Sequence, residues 1–244
     1  MIGEIVMNKK NIVWWVIGIL CILVAVYIVC DKIFFKENDV NFNEDEEIVL
    51  VNDKLREIGS PLGWLIIVDG ISNQDENGKY NVGYGRDLLS NYGYRQLFVM
   101  EYILSYNSNY DKFTVLGMDG NIVTDIPTSD FTTAYISYDD FNEYYKTLFG
   151  EDFDIKKATK GNTKYDKDYV YYENRRAGSN GVYVSMMECD SVVYEKGEYT
   201  SNVKVTYSTR ASELIGVEND TAILKYTKDT FGNINIKSFT LKDR

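Results

Sequence analysis

The chain has no histidine and only three cysteines in 244 residues. Without His there is no Ser-His-Asp triad, no Cys-His pair, no His-ligated zinc or iron and no imidazole pH switch. Cys21 and Cys30 fall inside one apolar run, so Cys189 is alone in the rest of the chain and has no internal disulfide partner there. It lies in a strand-like run and reads as a small buried hydrophobe, since no activating base accompanies it. Positive charge is also scarce: 26 Lys and Arg face 37 Asp and Glu, a formal charge of −11. That balance argues against nucleic-acid binding, which draws most of its affinity from phosphate neutralisation. No repeat period and no low-complexity tract is present.

What stands out instead is residues 12–30, which are 19 consecutive uncharged residues, nearly all apolar. At 1.5 Å per residue a helix there is about 28 Å long, close to a hydrocarbon core of roughly 30 Å. The run, through Ile12, Leu20, Val26 and Cys30, predicts a transmembrane helix in contact with the lipid bilayer. Trp14 and Trp15 at one end and Tyr27 at the other suit the headgroup layers. Lys9 and Lys10 precede it and an acidic stretch follows, which predicts a cytoplasmic N-terminus and an outward C-terminal domain. A cleaved signal peptide fits less well, because the run exceeds an h-region of roughly 7–15 residues and no A-x-A-like site follows. The expected layout is a cytoplasmic tail over 1–11, a membrane helix over 12–30, a linker over 31–45 and an extracytoplasmic domain over 46–244.

Within that domain, Ile48, Val51, Leu55 and Ile58 recur at helical spacing, and Gly59 and Pro61 predict the stop. Residues 62–68 are apolar, and periodicity leaves them open as helix or strand. Ser90 or Asn91 can cap a second helix ending near Ser105, apolar on most sides and suited to the core. Two apolar runs flank Asp119 and Gly120, a hairpin signal. Ser137, Asp139 and Asp140 open a third helix with the stripe Phe141, Tyr144, Tyr145, Leu148 and Phe149, and Gly150 ends it. Runs 168–173, 182–188, 191–194, 199–207, 221–227 and 234–241 are rich in Tyr, Val, Ile and Thr and predict an antiparallel meander. The fold class is therefore α+β: about three helices on a curved antiparallel sheet, in the manner of NTF2-like or cystatin-like rolls.

Candidate sites are few. Asn73, Asp75, Asn77 and Gly78 match the first half of an EF-hand calcium loop, but the first position is Asn and the twelfth is Tyr84; an ordinary polar turn explains them, and no metal or cofactor is expected. Ser201 and Lys204 have the S-x-x-K spacing of acyl enzymes, yet on a strand they face opposite ways. Residues 155–176 carry a local excess of four positive charges on an acidic chain, suited to a solvated loop or an anionic partner. Tyrosine is abundant, with 21 residues. Tyr169, Tyr171, Tyr172, Tyr183, Tyr199 and Tyr207 are the candidate protein interface, although strand propensity and core packing also account for them. The Asn-, Ile-, Lys- and Tyr-rich composition has a bacterial look. The expected function is a non-enzymatic, single-pass component of the bacterial cell envelope at the plasma membrane, a scaffold for an envelope protein partner. A tethered small-ligand or glycan-binding module and a carboxylate-based hydrolase are the alternatives.

Overall fold

Helix α1 (Glu44–Ser72) is the element against which the others pack. A computed structural model of the chain describes residues 42–107, 113–116, 122–123, 133–159, 168–173 and 181–243. All but Phe42 lie in one unit, Asn43–Arg244. Ile12, Trp14, Trp15, Leu20, Val26, Tyr27 and Cys30 fall outside the described residues. Among the described residues no helix is long and apolar enough to cross a membrane. The structure therefore lends the expected transmembrane helix no support.

The stop expected at Gly59 and Pro61 does not occur. Pro61 sits inside α1, and every residue from 61 to 70 is buried. A proline in a helix interior costs about 3 kcal/mol. Leu62, Leu65, Ile66 and Ile67 are all fully buried, and at roughly 1.5–3 kcal/mol each their burial outweighs that loss. Residues 62–68, open in the sequence, are thus helix.

Helix α2 (Tyr92–Tyr102) is capped by Asn91, whose side chain accepts from the Gly93 and Tyr94 amides, and it runs on into a π-turn, Ile103–Asn107. Helix α3 (Tyr138–Phe149) begins and ends as its sequence predicts: the Ser137 hydroxyl accepts from the Asp140 amide, and Gly150 closes it at φ 70°. A fourth short helix, α4 (Thr209–Ile215), was not foreseen. Phe98, Phe141, Tyr145, Phe149 and Phe153 join α2 to α3 in an aromatic cluster.

The class is α+β, with four helices among the described residues. Instead of one curved sheet there are two antiparallel sheets. The smaller joins β1 (Phe113–Leu116), β2 (Ile122–Val123), β3 (Thr133–Ser137) and β4 (Tyr169–Glu173) in the order β2-β1-β3-β4. The tip of the expected Asp119-Gly120 hairpin lies outside the described residues. The larger sheet is a meander of β5 (Val184–Glu195), β6 (Glu198–Tyr207), β7 (Asn219–Lys228) and β8 (Ile234–Leu241). Its inner face, including Val203, Leu224, Ile236 and Phe239, is buried, and α1 packs on β5. From Val184 onward the runs 182–188 and 191–194 form one strand, with a register shift between Cys189 and Ser191, and Val182 and Tyr183 precede it.

Groups from outside the larger sheet bond to both of its edge strands. On β5 the Cys189 amide donates to Asn52 Oδ1 and the Val192 amide to Glu44 Oε1, both carried by α1. On β8 the Phe239 amide donates to Asp87 Oδ1, and the Gly85 amide donates to the Leu241 carbonyl. Edge strands otherwise offer a free ladder to other chains.

Candidate functional site

The first turn of α1 is fastened to the sheet through charge and aromatic rings. Glu47 is buried and pairs with Lys228 at the end of β7, while the Tyr226 hydroxyl donates to Glu47 at 3.4 Å. Lys228 Nζ lies 4.8 Å from the centre of the Tyr199 ring. Tyr199 stacks on Tyr226 at 5.0 Å and meets Tyr194 at 4.6 Å. Burial, then the Glu47 charge, pushes the Tyr226 phenol far up, and the same two influences raise Tyr199. Neither phenol ionises readily, so this ladder is a brace and not an acid–base device.

A second buried charge sits at the other end of the helix. Asp69, fully buried, pairs with Arg86 and accepts from the Gly83 amide at 2.6 Å and the Tyr94 hydroxyl at 2.9 Å. Tyr94 is raised by burial and by that Asp69 hydrogen bond. An alanine-sized side chain at Gly83 would come within 2.9 Å of the same carboxylate, so the loop backbone reaches Asp69 only because residue 83 has no Cβ. An acid alone in an apolar decapeptide was the sequence signal for this hub, and it was missed.

The tyrosines named from sequence do not share one exposed face. Tyr199 and Tyr207 are buried, Tyr169 and Tyr171 are half-buried, and the side chain of Tyr172 lies outside the described set. Tyr183 is 56 % exposed. Tyr207 instead donates to Asp220 Oδ2, which also accepts from Tyr84. Met186 and Ile71, absent from that sequence list, are 44 % and 42 % exposed. Gly63 of α1 faces Val184, whereas Glu44 reaches Val192, so helix and strand run antiparallel. Tyr183, Met186 and Ile71 therefore lie toward the end of the unit away from Glu44. Near the Glu44 end is Phe231, 89 % exposed in the turn between β7 and β8.

The calcium-like loop is a closed turn. Asn73 caps α1, its Nδ2 donating to the Asp69 carbonyl, and Asp75 Oδ1 accepts from the Asn77 and Lys79 amides. Among the described residues no three Cys, Asp or Glu side chains converge as metal ligands. Ser201 is buried and Lys204 exposed, on opposite faces of β6. The basic stretch 155–176 is described only in part, and there Lys157 lies 4.7 Å over the Tyr92 ring. Burial raises the Cys189 thiol, the reverse of an activated nucleophile. Asp152 and Asp229 are two carboxyl groups that their surroundings move down. Asp152 is lowered by Asn142 and Lys146, Asp229 by Asn233. A glycosidase acid needs the opposite shift.

An open groove of about 790 Å³ runs between α1, α3 and the β7–β8 turn, lined by Asp53, Lys54, Glu57, Tyr102, Lys146 and Asn235 among others. Its size suits a small ligand, and charged side chains such as Asp53, Lys54, Glu57 and Lys146 stand among apolar wall surface from Leu50, Tyr102 and Ile234.

No protein-family model, no curated protein and no solved structure matches the chain.

Proposed function

We propose that the chain is a single-pass, membrane-tethered protein of the bacterial cell envelope, with residues 12–30 as its anchor and residues from Asn43 onward outside the cytoplasm. In this reading the outer unit is a non-enzymatic scaffold that binds an envelope protein partner. The observation that carries the binding part is the exposure of Tyr183, Met186 and Ile71 toward the end remote from the tether. Aromatic residues and Met are enriched in protein interfaces, and Tyr brings both apolar area and a hydroxyl. The groove between α1, α3 and the β7–β8 turn supports a small-ligand or glycan module as the second reading.

The test is site-specific photocrosslinking of the full chain in intact membranes. A benzophenone side chain placed at Tyr183 or at Met186 should attach the same partner chain. The same probe at Lys237, exposed on the outer face of β8, should not. Identical products from all three positions, or products only with the chain itself, would remove the scaffold reading.

A further inference from the structure

The turn between β7 and β8 is built to display one ring. Asp229 Oδ1 accepts from the amides of Phe231 and Asn233, Asn233 Nδ2 donates to Asp229 Oδ2, and Gly232 takes φ 85°. Those bonds hold the turn without help from the Phe231 side chain, which is 89 % exposed. A phenyl ring gains nothing from water, and a turn needs none. Its place in the fold suggests its use. Lys228, three residues earlier, is bonded to Glu47 in the first turn of α1. The β5–β6 turn is at the same end, since Tyr194 and Tyr199 flank it and Tyr199 lies under Lys228. The end that carries Phe231 is thus the end at which the chain enters α1.

We infer that Phe231 dips into the lipid interface of the membrane that anchors the chain. This rests on residues 12–30 being the anchor. Only 13 residues, 31–43, separate that run from α1, and even fully extended they reach at most about 47 Å. Tethering makes the second contact intramolecular, with an effective concentration in the millimolar range, so one weakly inserting ring suffices. Aromatic rings favour the headgroup region. The neighbouring charges are mixed: Lys196 and Lys228 beside Glu195 and Asp229, with Glu198 paired to Lys225. Glu44, Asp45 and Glu46 at the start of α1 are exposed. Contact is therefore driven by the ring and not by basic attraction, and it weakens as anionic lipid is added.

The experiment uses the full chain in phosphatidylcholine vesicles with nitroxide-bearing lipids as quenchers. Cys21, Cys30 and Cys189 are replaced by Ser, and a polarity-sensitive dye is attached through Glu195→Cys beside the tip, or through Tyr183→Cys at the far end. The native Trp14 and Trp15 report the anchor. The expected result is quenching of Trp14 and Trp15 and of the dye at 195, none at 183, and at least a twofold fall in quenching at 195 when Phe231→Ser is added. Quenched tryptophans with an unquenched dye at 195, or a 195 signal indifferent to Phe231→Ser, overturn the inference and leave the anchor standing. Unquenched Trp14 and Trp15 overturn the anchor and the inference with it. A dye response that tracks protein density and not lipid assigns Phe231 to contact between copies and also overturns it.

Discussion

Replacing Gly63 by Ala should destabilise the unit Asn43–Arg244, while the same change at Gly59, one turn earlier in α1, should stabilise it. Both glycines face β5. A Cβ at Gly63 would stand 2.7 Å from Val184 Cβ, but one at Gly59 would meet Met187 no closer than 3.9 Å. Alanine gains up to about 1 kcal/mol over glycine in a helix interior. At 59 that gain is unopposed. At 63 it meets an overpacking cost of about 1–3 kcal/mol. The upper part of that range applies, because the opposing Val184 Cβ is fixed to the strand backbone and cannot rotate away. The net loss is about 1–2 kcal/mol, or roughly 2–8 °C in Tm for a unit of this size. Gly59→Ala should raise Tm by about 2–4 °C. Thermal melts of the full chain in detergent, followed by circular dichroism, measure both. Val184→Gly removes that Cβ, so the Gly63→Ala/Val184→Gly pair should lose less than the sum of its single changes. Equal stabilisation by alanine at both positions, or strict additivity in the pair, would refute the close helix–strand approach.

Two further outcomes are expected. Glu47→Gln and Lys228→Met should each lower stability in urea by about 1–3 kcal/mol, and the double variant should lose less than their sum, since each single change strands a poorly solvated partner; additive losses would mean the pair is not coupled. Burial holds Tyr145 at about 12, against 10.0 for a free phenol. Because the unfolded chain then releases its proton first, this contribution is intact below pH of about 10 and is lost as pH rises through about 12. Tyr145→Phe should therefore flatten the decline in stability over that window, and an unchanged slope in alkaline urea melts would contradict the assignment.

Local chemistry was legible in the sequence where it acts locally. Ser137 and Gly150 set α3, and Asn91 sets α2, because caps and left-handed stops depend on a few neighbouring residues. What escaped depends on partners distant in sequence. Pro61 reads as a stop, yet the buried decapeptide after it carries the helix through. Asp190 reads as a break between two strands, yet a register shift absorbs it. The strand tyrosines read as one class, but register sends Tyr199 and Tyr207 inward while Tyr183, just ahead of β5, stays exposed. The division into two sheets depends on strand pairings that no local pattern records. Phe231 did carry a signal, an aromatic residue amid Asp, Thr, Gly and Asn in a turn.

The bonds at the strand edges limit how this protein can meet other chains. An unfolded segment searching for a ladder to extend finds Asn52 and Glu44 already bonded to Cys189 and Val192 of β5 and Asp87 to Phe239 of β8, and must displace a bonded side chain to pair at those positions. Growth by strand addition, the route to promiscuous stacking, therefore begins uphill at both sides of the larger sheet. Recognition is left to side-chain shape and chemistry, which can discriminate among partners where a bare backbone cannot. The helix α1 supplies two of those guards, so fraying of its first turn would release the Val192 amide while Asn52 still held Cys189.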